Sequence, residues 1–259
     1  MRIALAVEYA GGAFCGFQSQ SSRCGVQDAL EDAIGEIAGH PIGVVAAGRT
    51  DAGVHAVSQI VHFDTEAARP MTAWVRGVNA HLPPTAAVLW AHPVPPEFHA
   101  RFAATQRHYT YLLLNRAERP GLMAGRTGWY HHPLDVAAMQ IAFAMLIGTH
   151  DFSSFRAAEC QARSPVRTLA LARVERRGEL VRFDLSANAF LQHMVRNIVG
   201  ALVTVGSGKA PPSWMAQLLE ARDRTRGPAT FAPDGLYFCG ADYDARFALP
   251  PTRREAMAQ

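Results

Sequence analysis

Lysine is nearly missing from this chain. Lys209 is the only one in 259 residues, and the other basic residues among the 25 lysines and arginines are all arginine. No Gly-Lys-Ser or Gly-Lys-Thr follows a glycine-rich loop, which excludes a nucleotide-binding P-loop. Cysteine is scarce as well. Cys15, Cys24, Cys160 and Cys239 form no Cys-x-x-Cys pair, so zinc-site spacing is absent and free thiols in a reducing compartment are expected. Long apolar runs are also missing. No stretch of about 18 uncharged apolar residues occurs, which excludes a membrane-spanning helix. The apolar start is cut short by Glu8, so it reads as a first strand rather than a secretory leader. A cytoplasmic location is the expectation.

What is present suffices for a core. Apolar residues make up 49% and charged residues 18%, which excludes a disordered, collagen-like or coiled-coil chain. The length fits one large domain or two ordinary ones. The net charge of +3 is unevenly spread. Residues 1–104 carry 6 arginines against 9 acids, or −3, and residues 105–259 carry 18 arginines and 1 lysine against 13 acids, or +6. The second half is therefore the candidate for anion binding. Compositional bias accounts for the arginine surplus as readily as function does, although the planar guanidinium is the better fork for phosphate.

Periodicity predicts strands over residues 2–9, 42–47, 59–64, 86–92, 107–115 and 235–243, and a hairpin over 167–186 that turns at Gly178. Helices are predicted over 26–38, closed by Gly39, and over 71–79, 135–147, 191–205 and 214–222. Each half mixes strands with helices, which predicts an α+β fold with helices against one face of a largely antiparallel sheet. The expected domains are residues 1–104 and 105–249, followed by a polar tail, 250–259, that frays.

Three segments carry chemistry-bearing residues. The first is Gly48-Arg49-Thr50-Asp51-Ala52-Gly53-Val54-His55. It sets a carboxylate two residues from an arginine, in a loop that two glycines let bend. A neighbouring cation favours an ionised carboxylate, which can serve as nucleophile or base. A surface ion pair in an Asx-type turn would give the same letters. The second segment runs over 101–111. Arg101, Arg107 and His108 alternate there with Phe102, Tyr109 and Tyr111, cations for phosphate and rings for bases. A half-buried strand with both tyrosines on one face is the alternative. The third, His193-Met194-Val195-Arg196-Asn197-Ile198, sets an arginine in an apolar helix start. A buried arginine needs an anionic partner, on the protein or on a ligand.

Together these segments resemble the tRNA pseudouridine synthase A family. The likeness runs from about Arg2 to Tyr243. Besides residues 48–55, it rests on Gly77-Val78-Asn79-Ala80, Phe98-His99-Ala100-Arg101-Phe102, Tyr109-Thr110-Tyr111, Asp151-Phe152-Ser153-Ser154-Phe155 and residues 193–200. His108 stands where another arginine is common. The resemblance implies two ferredoxin-like α+β domains, a continuous mixed and largely antiparallel sheet, and a central RNA-binding cleft. It implies isomerisation of uridine to pseudouridine in the tRNA anticodon stem-loop, at nucleotides conventionally numbered 38, 39 and 40, by a homodimer. Asp51 would be the catalytic aspartate, with Arg49 and Arg196 as its partners and Tyr109 stacked on the target uracil. His55 and Arg107 complete the expected substrate-binding set. No cofactor and no metal is expected, because the isomerisation moves neither electrons nor phosphoryl groups. Two other readings remain at this level: an RNA-binding module without chemistry, and a metal-dependent hydrolase using Asp51 and His55.

Overall fold

The computed structural model describes residues 1–256. In chain order the elements are β1 (Arg2–Tyr9), α1 (Val26–Ala38), β2 (Val45–Ala46), β3 (His55–Asp64), α2 (Val78–His81), β4 (Ala86–Val94), β5 (Gln106–Asn115) and β6 (Gly128–Tyr130). They continue with α3 (Val136–Ala144), β7 (Gly148–Asp151), β8 (Val166–Arg177), β9 (Leu180–Ala187), α4 (Met194–Gly206), α5 (Trp214–Ala221) and β10 (Leu236–Asp242). The chain divides into two compact units. One holds Met1–Arg107 and the segment from Tyr237 onward; the other is His108–Leu236.

In the first unit the strand order is β4-β1-β3-β10, with β2 also on β3. Strand β1 runs antiparallel to both β3 and β4, pairing Ala6 with Ile60 and Trp90. Strand β10 joins β3 in parallel, Tyr237 opposite His55. The centre of β1, Ile3 to Val7, is wholly buried, as expected of a central strand covered on both faces. Helix α1 turns Val26, Leu30, Ala33 and Ile34 inward at helical spacing. Its first turn is tied by the Gly25 N–H donating to the Asp28 carboxylate, 3.0 Å, and Gly39 closes it in the left-handed region, φ 77°. The predicted helix over 71–79 is a π-helical turn, Ala73–Gly77, running into α2. It buries Trp74 against Phe63, with ring centroids 5.3 Å apart.

The second unit orders β5-β9-β8-β7, with β6 parallel to β5. Strand β8 runs antiparallel to β9 and β7. Helix α3 is capped by the Asp135 side chain, which accepts from the Ala138 N–H at 3.0 Å. Helix α4 is buried on almost every side. The α+β class with mixed, mostly antiparallel sheets is as the sequence predicts.

Two expectations need correction. Cys15 and Cys24 are not free thiols: they form a disulfide, Cα to Cα 5.4 Å. Their separation of nine residues hid the pair, because the segment between them doubles back and the Cys15 N–H reaches the Cys24 carbonyl at 2.9 Å. Cys160 and Cys239 are buried and form no disulfide. Nor does the tail fray over residues 250–256; residues 257–259 lie outside the described residues. The Thr252 carbonyl accepts from the Ser58 hydroxyl, 2.8 Å, and the Arg254 N–H donates to the Cys239 carbonyl, 2.9 Å. Ala256 is fully buried. Gly240, at φ 124°, makes the passage possible, since a Cβ there would overlap the Thr252 carbonyl. No helix among the described residues is long and apolar enough to cross a membrane.

Candidate active site

Residues 48–54 lie in the loop between β2 and β3, His55 opens β3, and Asp51 is half-buried within the loop. The loop is braced on both sides of that carboxylate. Before it, the Gln59 amide donates to the Gly48 carbonyl at 2.7 Å. Next to it, the Tyr9 hydroxyl meets the Thr50 hydroxyl at 2.8 Å, and the Phe17 N–H donates to the Thr50 carbonyl at 2.9 Å. After it, the Val54 N–H closes a turn onto the Asp51 carbonyl, 3.1 Å, with Gly53 at φ 81°. Tyr9 lies at the end of β1 and Gln59 in the middle of β3. Burial pushes the Tyr9 hydroxyl up to about 12, so it stays protonated at physiological pH.

His55 is buried and stacks on Tyr237, ring centroids 4.7 Å apart and 19° from parallel. Its Nδ1 accepts from the Gly11 N–H at 3.0 Å, so that nitrogen carries no proton. The ring joins the glycine-rich turn after β1 to the start of β3. Arg107 sets its guanidinium on the backbone carbonyls of Ala47, Ala104 and Arg101, fixing the residue that leads from β2 into the loop. Arg49 is exposed and makes no hydrogen bond or ion pair among the described residues. The expected Arg49–Asp51 ion pair is therefore not formed. Thr50, between them, is buried and held by Tyr9, while Arg49 faces solvent.

In the second unit, Tyr109 of β5 is half-buried and packs edge-to-face on Phe190, 5.0 Å and 80°. Its neighbour His108 is buried, with Nδ1 2.6 Å from the Ser186 hydroxyl. Tyr111, two residues on, is fully buried and donates to the Ala232 carbonyl at 2.9 Å. Arg196, in the first turn of α4, is half-buried and donates from Nε to the Phe231 carbonyl at 2.8 Å. Asn197 beside it is buried. Its amide donates to the Phe155 carbonyl, 2.8 Å, and accepts from Arg224, 3.0 Å, and Thr230, 2.8 Å. The residue before α4, His193, is left-handed at φ 61°, an uncommon conformation for a non-glycine residue. An open depression of about 460 Å³ lies there, lined by Glu159, His193, Arg224 and Thr230 among others.

Sequence reasoning missed Tyr9 and Gln59, and it placed Asn197 in the third segment without its hydrogen-bonding role. Only Gln59 left a signal, an amide in a strand that is otherwise mostly apolar. Asn79, within the Gly77–Ala80 motif, is a structural link. Its side chain both donates to and accepts from the backbone of Val88, 2.9 and 2.6 Å, pinning α2 to β4. No group of three or more histidine, cysteine, aspartate and glutamate side chains that could hold a metal occurs among the described residues.

A family model described as tRNA pseudouridine synthase matches residues 5–103 and 142–244. The chain belongs to that family, whose reaction is the isomerisation of uridine in tRNA. Among curated proteins it is 59% identical over 255 residues to tRNA pseudouridine synthase A of Methylobacillus flagellatus, covering 98% of each chain. It is 61% identical over 250 residues to tRNA pseudouridine synthase A of Thiobacillus denitrificans, covering 96% of each. Among solved structures, a chain of a Cbf5-Nop10-Gar1 complex aligns with 91% of this chain at 12% identity and a TM-score of 0.37.

Proposed function

We propose that this synthase acts on the anticodon stem-loop of tRNA, converting uridines at positions 38, 39 and 40, with Asp51 as the catalytic carboxylate. The reaction breaks the C1′–N1 bond, turns the base and joins C1′ to C5, releasing the hydrogen at C5. The target nucleotide must leave its stack first, which costs least near a flexible loop. The observation that carries the assignment is the bracing of residues 48–55. Hydrogen bonds hold Gly48 and Thr50 before Asp51 and His55 after it, while Asp51 itself stays half-buried. Fixing one reacting group in advance is what such a displacement needs.

Tyr109 supplies the ring that stacks on the extruded uracil, and Arg196 pairs with the carboxylate side of the reaction. Arg49, exposed and without a protein partner among the described residues, meets an RNA phosphate instead of Asp51. Arg107 and His55 act through the loop they brace rather than by touching RNA. The working form is a cytoplasmic homodimer, supported by the resemblance alone, and sedimentation of the purified chain tests the dimer.

The deciding experiment is tritium release from tRNA labelled at uridine C5. Asp51→Asn keeps the size of the side chain and removes its charge. It should lower release by more than about 100-fold with tRNA affinity nearly intact. Tyr109→Phe keeps the ring, so it should bind tRNA and isomerise slowly. A wild-type chain that binds tRNA and releases no tritium would support the binding-module reading instead. Equal loss of binding and turnover in Asp51→Asn would make the residue structural.

A further inference from the structure

Phe102 is 76% exposed, the second most exposed large apolar side chain after Leu122 among those described. Single exposed apolar residues are ordinary. This one is held from behind. Its ring stacks on His99, centroids 4.3 Å apart and 29° from parallel. His99 packs in turn on His62, 4.9 Å away, and His62 meets the fully buried Phe98 edge-on at 5.9 Å. A row of rings thus runs from the core of the first unit to a free aromatic face.

The row is fixed by backbone hydrogen bonds. His99 Nδ1 accepts from the N–H groups of both Arg101 and Phe102, each at 3.2 Å. His62 Nδ1 accepts from the Ala100 N–H at 3.1 Å. Both imidazoles therefore leave Nδ1 unprotonated, and burial and the Arg2 guanidinium lower their basicity further. His99 backs Phe102 as a neutral, oriented ring. The turn itself is tied down by Arg107, which also holds Ala47 at the entry to the catalytic loop. The Arg101 guanidinium lies 5.6 Å from the Phe102 ring centroid. Arg101 is exposed and has no carboxylate partner among the described residues.

We propose that Phe102 is a stacking platform for an unpaired base of the tRNA substrate, with Arg101 neutralising an adjacent phosphate. A rigid open aromatic face beside a cation is the chemistry that holds single-stranded nucleotides, and it tolerates any base because every base has a π-face. The platform binds RNA and performs no bond-making step. It rests on tRNA being the substrate, and the test separates the two ideas.

The full-length chain is compared with Phe102→Ala and Phe102→Tyr. The readouts are affinity for unmodified tRNA, steady-state tritium release, thermal melting and sedimentation of the free protein. Phe102→Ala should weaken binding about tenfold, a usual cost of losing one stacked base. It should raise KM more than it lowers kcat, and leave the melting temperature in place. Phe102→Tyr keeps the face and should restore affinity. Wild-type affinity in Phe102→Ala, with wild type active, overturns the platform alone. A shift of Phe102→Ala to a smaller species in sedimentation, with binding lost in step, overturns it in favour of a second copy of the chain on that face. Failure of the wild type to bind or isomerise tRNA removes the substrate reading beneath it.

Discussion

Tyr9 lies too deep to meet RNA, but if Asp51 is the reacting carboxylate as proposed, the Tyr9 hydroxyl bears on the chemistry. It is 4% exposed and bonded to Thr50, the residue before Asp51. Tyr9→Phe deletes one hydroxyl and leaves the ring packing intact. The expected loss of stability is about 1 kcal/mol, the usual net worth of one such bond. The effect on rate should be larger than that suggests, because a small displacement of a reacting group is costly. A fall in kcat of about tenfold is expected, with little change in KM. Thr50→Ser should preserve turnover, whereas Thr50→Val should match Tyr9→Phe, and the double variant should be no slower than either single one. Wild-type kcat in Tyr9→Phe would show that the loop holds Asp51 without this bond.

At the level of elements, β1 and α1 were legible to the residue, because both follow a clean period with a clear stop at Gly39. Strand β3 starts four residues earlier than its apolar letters suggest. His55 sits in it as a buried polar ring held by Gly11 and Tyr237, a reason that lies far away in sequence. Strands β6 and β7 have three and four residues, too short to show a period. The loop over residues 48–55 was legible as a motif, and its supports were not, since Tyr9 and Gln59 act across strands that only the fold brings together. The disulfide escaped for the same reason. It closes the segment between the glycine-rich turn and α1, and Gly16 beside it packs on the backbone of Thr50 and Asp51. Reduction should cost about 2–3 kcal/mol for a loop of this length. Urea unfolding with and without a dithiol reductant measures it, and Cys15→Ser should be indifferent to the reductant. Equal stability of the wild type in both conditions would show that the bond does not form in solution.

Over the whole molecule, charge separates by unit. Residues 108–236 hold 15 basic side chains against 10 acids, or +5, while the rest of the chain holds 10 against 12, or −2. Contacts to an RNA backbone release counterions, so affinity should fall at least tenfold between about 50 and about 200 mM salt. Phe102→Ala should weaken binding without changing that slope, because stacking displaces no ion. A flat salt dependence in the wild type would mean that the basic surplus serves no phosphate.

The chain leaves its first unit at Arg107 and returns only at Tyr237. On the ribosome this imposes a schedule. Strand β3 emerges well before β10, its parallel neighbour, and at ordinary translation speeds the interval is roughly 10–40 s. During that interval the edge of β3 that β10 will occupy has no partner from its own unit, and unpaired edges invite association with other chains. The second unit, contiguous in sequence, can be complete before the first one closes. His55 gains its stacking partner only once Tyr237 has been made, after the whole of the second unit, so the start of β3 next to the Asp51 loop receives this support late.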